Sequence, residues 1–260
     1  MIKKITKLKN KNKHDDELDK LRVELSMLMS EYDNLVFHQL KNIEDKYMLK
    51  FGKLEYEVMQ QECQFRRLRA KLELIIAKRN HNQKIDLAEI DSILDDELEE
   101  FYKNLEKRLH DIEKAKMRLL IPKLSDEETK KIKSIYRKLI KRLHPDLNPN
   151  LNDFEKELFN RVVDCYEKGN LSELSIIDMM LKTEHETEIT DKDKEKQRLI
   201  DLIDQMNLKI KSIKSDYPYT LKAVLVSEEK TKQRYNELHR AYDEYSEQIE
   251  IYKAEIAKYI

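Results

Sequence analysis

Residues 133–150 read KSIYRKLIKRLHPDLNPN, and His144, Pro145 and Asp146 stand consecutively at the end of a run of cations. Lys130, Lys131, Lys133, Arg137, Lys138, Lys141 and Arg142 supply seven positive charges, and no acid falls between 130 and 142. A cationic helix face behind the His-Pro-Asp corner can steer an acidic partner and pair with it. An imidazole and a carboxylate two residues apart could also be read as a proton-transfer dyad. No nucleophile, phosphate-binding loop or metal cluster accompanies them, so the chemistry is recognition and the chain is not expected to be an enzyme.

Short helices must position that corner. Ser125-Asp126-Glu127-Glu128 has the pattern of a capping box. The helix it starts carries Ile132, Tyr136, Leu139 and Leu143 on one side, with Ile135 and Ile140 flanking. It ends because Pro145 disfavours helical backbone at His144, and Asn148-Pro149-Asn150 keeps the chain extended. A helix predicted from about Asp153 carries Phe154, Leu158, Phe159, Val162 and Tyr166, and Gly169 ends it. Residues 172–181 form one more short helix. The spacing thus predicts two antiparallel helices with a rigid corner at one end, within a unit spanning 122–185.

Composition predicts an all-α protein. Of 260 residues, 40% are charged, and only two glycines and four prolines are available for turns. Net charge is −1, so any electrostatic attraction must come from local patches. The N-terminus is basic but no apolar stretch follows it, so it is not expected to be a signal peptide. The longest apolar runs, such as 223–226, are far short of the roughly 20 residues of a membrane span. A soluble, cytoplasmic protein is expected. Cys63 and Cys165 stand alone and are expected to be reduced core residues; no cofactor or metal is implied.

Long helical arms flank the central unit. Residues 1–14 are expected to be a disordered basic tail. Over 15–119 we expect a long helical hairpin. Leu18, Leu21, Leu25, Leu28, Tyr32 and Leu35 form a first seam. After a register slip, the pattern resumes as Phe51, Leu54, Val58, Gln61, Phe65, Leu68, Leu72 and Ile75. The apolar face of 35–43 lies at the slip. Residues 79–83 make a corner, and a helix over 87–119 folds back antiparallel. Over 188–260 a second hairpin is expected. Leu199, Ile203, Met206, Ile210 and Ile213 would face Tyr235, Leu238, Tyr242, Tyr245, Ile249, Tyr252, Ile256 and Tyr259 across a turn at Pro218.

The central stretch resembles the second helix and His-Pro-Asp loop of a J-domain, the module of DnaJ-type co-chaperones. Tyr136-Arg137-Lys138-Leu139 matches the family's aromatic-basic-basic-leucine run at the right distance before His144. Phe154 or Phe159, with Tyr166, fits its third helix. The match covers about 50 residues. The flanking arms also look like those of uncharacterised bacterial proteins with an embedded J-domain. The resemblance implies a co-chaperone that binds a DnaK-type ATPase and speeds its ATP hydrolysis. Lys133, Tyr136, Arg137, Lys138 and Lys141 would lie on an acidic surface of the chaperone. Asp146 would pair with an arginine near its interdomain linker. Pro145 would fix the loop, and His144 and Asn148 would bond within it or to the partner. The family's first helix is not recognisable before Pro122; Leu119, Leu120, Ile121 and Leu124 are expected to cover the same core surface. There is no Gly/Phe-rich linker and no CxxCxGxG repeat, so general client-binding machinery is missing. The arms would then serve targeting to an unknown client or partner, or homodimerisation.

Two alternatives compete. A coiled-coil scaffold could carry a J-like unit uncoupled from any chaperone. The helix over 126–143 could contact nucleic-acid phosphates, but a single basic helix on a neutral chain gives weak affinity.

Overall fold

The computed structural model describes residues 2–121, 123–181 and 192–260, with side chains described from residue 16 onward. Residues 2–14, expected as a disordered basic tail, form the first turns of the helix that begins at Ile2; the break expected at Pro122 and the boundary expected at 185–188 fall outside the described residues. Among the described residues every regular element is helical and none is a strand. In chain order they are α1 (Ile2–Asn34), α2 (Leu40–Tyr47), α3 (Lys53–Asn80), α4 (Leu87–Glu97), α5 (Glu99–Leu120), α6 (Asp126–Leu143), α7 (Asp153–Glu167), α8 (Leu171–Met180), α9 (Lys192–Ser215), α10 (Leu221–Val226) and α11 (Glu228–Ile256). π-helical turns at Leu35–Gln39 and Met48–Gly52 separate α1, α2 and α3. They bracket the register slip: each wide turn takes up residues that the 3.6-residue period cannot place. The chain divides into two compact units, one of Met1–Lys41 with Pro122–Tyr219 and one of Asn42–Ile121 with Thr220–Ile260.

This division differs from the expected pair of hairpins around a central module. In the first unit, the seam of α1 packs on α6 and α9. Leu18, Leu25 and Met29 join Tyr136, Leu139, Ile140, Leu143, Val162, Tyr166, Leu199 and Ile203 in one core. Glu17 pairs with Lys196 near one end and Glu31 with Lys214 near the other, so α1 and α9 run parallel. Exposed pairs of this kind add little stability, typically about 0–1 kcal/mol, but they report register. The stability comes from the leucine and isoleucine side chains, each worth roughly 1.5–3 kcal/mol when removed from water.

In the second unit, α4 and α5 fold back antiparallel on α3, as the corner at 79–83 predicts. Ile90 and Leu94 pack on Ile75, and Arg67 bonds to Asp91 and Asp95. The single helix expected over 87–119 is broken at Leu98, where the backbone leaves helical geometry. Farther along, a Cβ built on Gly52 would come within 2.9 Å of Ile112, so only glycine lets α5 approach there. The seam of α11 lies on α3. Tyr235 and Leu238 meet Phe51, Leu54 and Val58. Gln61 Nε2 donates to the Tyr242 hydroxyl at 3.2 Å. Phe65 contacts Tyr245 and Tyr252, each with centroids 5.6 Å apart. Ile256 meets Ile75. Both sequences ascend together, so this pair too is parallel. The seams of α9 and α11, expected to face each other, are taken up by α1 and α3.

Candidate partner-binding site

The basic helix is built as its sequence dictates. Ser125 Oγ accepts from the Glu128 amide at 3.2 Å, and the Glu128 carboxylate accepts from the Ser125 amide at 2.8 Å. Glu128 is held below the usual carboxylate range by these bonds from Ser125. Ile132, Tyr136, Leu139, Ile140 and Leu143 are buried, which turns Lys130, Lys131, Arg137, Lys138 and Lys141 outward. Arg137 and Lys141 form no ion pair among the described residues. Lys138 pairs with Asp178 of α8 at 2.7 Å while keeping 62% of its side chain exposed.

The corner is ordered by its own atoms. The His144 amide donates to Ile140 O at 2.9 Å and closes the helix. The amides of Leu147 and Asn148 both donate to His144 O, at 3.0 and 2.9 Å. Asn148 Nδ2 donates to Lys141 O at 3.0 Å. Leu147 is buried in the core and anchors the loop from below. The Asp146 amide donates to His144 Nδ1 at 3.1 Å, so that ring nitrogen must be unprotonated. Burial holds the His144 pKa below its ordinary value, with the nearby Asp146 carboxylate opposing. Its ring also stands edge-on to Phe159, centroids 5.0 Å apart. Of the two roles open to His144 and Asn148, their bonds in the structure lie within the loop. Pro145 and Asp146 are exposed, and 54% of the Asp146 side chain faces solvent.

Tyr136, expected on the partner surface, is instead fully buried. Its ring stacks on Tyr166 with centroids 3.8 Å apart and planes 9° off parallel. Its hydroxyl donates to Asp33 Oδ2 at 2.7 Å. The cause is α1, which covers the face that Leu119, Leu120 and Ile121 were expected to cover. Those three residues are exposed, Leu120 at 76%, and of that group Leu124 alone packs on this core. Lys133 is half-buried, and its charge helps, after burial, to depress the pKa of His38.

Several site residues have no local signal in the sequence. Arg198 of α9 donates from Nη1 to the Asp146 carbonyl at 2.6 Å. Glu195 grips Arg198 at 2.8 Å and meets Arg22 of α1 at 3.6 Å. Fifty-two residues separate Arg198 from Asp146, and nothing in an i, i+3 or i+4 pattern links them. Asp33 belongs to the same class. Burial pushes its carboxyl above the ordinary range, partly offset by the bond from Tyr136.

That shift gives a first prediction. Asp33→Asn keeps an acceptor for the Tyr136 hydroxyl and removes a desolvated charge. Its urea midpoint at pH 7 is expected above that of the wild type. A carboxyl with a raised folded-state pKa weakens the fold at pH values where it must ionise. The advantage of the asparagine therefore shrinks as pH falls through the raised carboxyl range. Denaturation curves of both proteins from pH 7 down to pH 4 measure it.

Among the described residues, no group of three or more His, Cys, Asp or Glu side chains could hold a metal ion. Cys63 and Cys165 are both free and buried. No described helix is long and apolar enough to cross a membrane. The fold and site define an all-α protein that displays a stiff, exposed acidic corner at the end of a basic helix. No family model, curated protein or solved structure matches the chain.

Proposed function

We propose that this protein is a J-domain co-chaperone that docks on a DnaK-type ATPase and stimulates its ATP hydrolysis. The observation that carries the reading is the Asp146 carboxylate, exposed on a corner whose backbone is already fixed by His144, Asn148 and Leu147. A preorganised carboxylate can accept a partner arginine with little ordering cost. Arg137, Lys138 and Lys141 supply the steering face, and Lys133 adds charge at its far end. Tyr136 has no part in the contact; its role is to join α6 to α1.

The test is steady-state ATPase turnover of several DnaK homologues with added protein. Wild type is expected to raise the rate, and Asp146→Asn to lose the effect roughly thirtyfold or more, as for truncating one partner of a desolvated charge pair. Equal rates with the two proteins across the homologues would sink the reading. A second reading is a helical scaffold whose J-like unit is uncoupled from chaperones. The Arg198 bond to the Asp146 carbonyl favours it, because that bond ties the corner to the protein's own α9. Pull-down separates the two: a scaffold recovers structural partners and no DnaK.

A further inference from the structure

Both backbone groups of Asp146 are held. Its amide donates to His144 Nδ1 at 3.1 Å, and its carbonyl accepts from Arg198 Nη1 at 2.6 Å. The peptide joining Asp146 to Leu147 is therefore pinned at two points, because its N–H goes to His144 O at 3.0 Å. The bonds to His144 are made within the loop, whereas the Arg198 bond comes from a separate helix. Arg198 is itself aimed. Glu195, one turn earlier on α9, accepts from its Nε and Nη2 at 2.8 and 2.9 Å, which leaves Nη1 for the corner. Arg22 of α1 approaches the same carboxylate at 3.6 Å. Leu199, the next residue along α9, is fully buried in the core that also holds Leu147. A planar fork can span two acceptors in this way; a lysine ammonium cannot.

We infer that Arg198 is the positioning residue for Asp146: by holding the carbonyl it sets the direction in which the carboxylate leaves the corner. With the peptides on either side of Asp146 fixed, only its side-chain torsions stay free. Without Arg198, the peptide between Asp146 and Leu147 can rock about its N–H bond to His144 and carry the carboxylate with it. The bond goes to the backbone, so the carboxylate stays available, with 54% of the side chain in solvent. A guanidinium beside the corner would also repel an arriving arginine, and Glu195 offsets part of that charge. The bond from Arg198, more than any other influence, holds the Glu195 carboxyl below its ordinary range, so it stays ionised at neutral pH. The inference rests on the chaperone reading for what the carboxylate meets, and not for how the carboxylate is held.

The test compares wild type with Arg198→Met, which keeps an unbranched stem and removes the fork. The first measurement uses the full chain alone: hydrogen exchange at pH 7, read amide by amide by NMR. The Leu147 amide is expected to exchange about tenfold faster in the variant, as for loss of one charge-assisted bond. The amides of Leu139 and Leu143, in the helix before the corner, should keep their rates. An unchanged Leu147 rate overturns the inference. So does a rise shared equally by Leu139 and Leu143, which would be a general loosening. The second measurement titrates each protein into a DnaK ATPase assay. Ordering the loop is a cost of docking, so the half-maximal concentration should rise about tenfold while the plateau rate is kept. A lower plateau at an unchanged half-maximal concentration also overturns the inference. If the wild type stimulates no DnaK, the chaperone reading fails, and the exchange rates alone decide whether Arg198 sets the corner.

Discussion

Tyr136→Ala is expected to cost about 3–5 kcal/mol and to unfold the unit built from α1, α6, α7, α8 and α9. The side chain is completely buried and large, and it meets Tyr166 in a face-to-face stack with centroids 3.8 Å apart. Removing it opens a cavity in the middle of that core, between the basic helix and the element covering it. It also strips the hydrogen bond from Asp33, leaving a half-buried carboxylate without that donor. Tyr136→Phe isolates the second effect: volume is kept, and the expected loss falls to about 1–3 kcal/mol for the unpaired acceptor. Hydrogen exchange during urea titration measures both. In the alanine variant, protection should fail over 126–180 and 16–34 at denaturant concentrations where 53–80 and 228–256 remain protected. Loss of protection everywhere at once would show that the two units do not unfold separately.

The second large effect lies in the other unit, at Glu55. This carboxylate is buried and holds three groups. The Tyr47 hydroxyl donates to Oε1 at 2.7 Å, Arg234 Nη2 donates to the same oxygen at 2.8 Å, and Arg108 approaches Oε2 at 3.4 Å. Arg234 also donates from Nε to the Tyr47 oxygen, which closes a triangle between α11, α2 and α3. Glu55→Ala removes the carboxylate that both Arg234 and Arg108 approach and leaves their two positive charges without it. Breaking a fully buried pair costs about 3–5 kcal/mol. Arg234 and Arg108 keep 34% and 29% of their side chains in water. The expected loss is therefore about 2–3 kcal/mol, read as early loss of hydrogen-exchange protection in 228–256. Alkali should act on the same cluster. Burial first, and then the bond to Glu55, push the Tyr47 phenol up to about 12 from an ordinary 10.0. A phenol that keeps its proton more tightly when folded stabilises fully below pH 10, and that contribution is lost as pH rises through 12. Tyr47→Phe should flatten the fall in stability over that window.

How much of this was legible in the sequence depends on the range of the interaction involved. Local chemistry was. Ser125 and Glu128 cap α6 reciprocally, and Gly169 takes a φ of 69° in the turn after α7. There the Asn170 amide donates to Cys165 O and the Gly169 amide to Tyr166 O, as a helix-ending glycine arranges them. The three-four spacing of Leu18, Leu21, Leu25 and Leu28 named the inward face of α1. It did not name what that face would meet, because a seam of leucines fits another seam equally well from either end of the chain. Short turns favour the pairing of sequence neighbours. The observed pairs instead join helices more than 150 residues apart. The place of Tyr136 is hidden for the same reason: an aromatic on a basic helix becomes a surface group or a core group according to whether a distant helix covers it. Arg198 at the Asp146 carbonyl is a long-range contact of the same kind.

The parallel pairing of α1 with α9, and of α3 with α11, has a bearing on how the chain comes off the ribosome. Each compact unit is sewn from an early segment and a late one, so neither can close until residues beyond 192 have been made. At about 5–20 residues per second, the leucine stripe of α1 waits on the order of ten seconds for its mate. During that interval it is a sticky amphipathic rod in a crowded compartment. Its dense coat of charge is what such a nascent helix needs to stay dispersed until its late partner arrives.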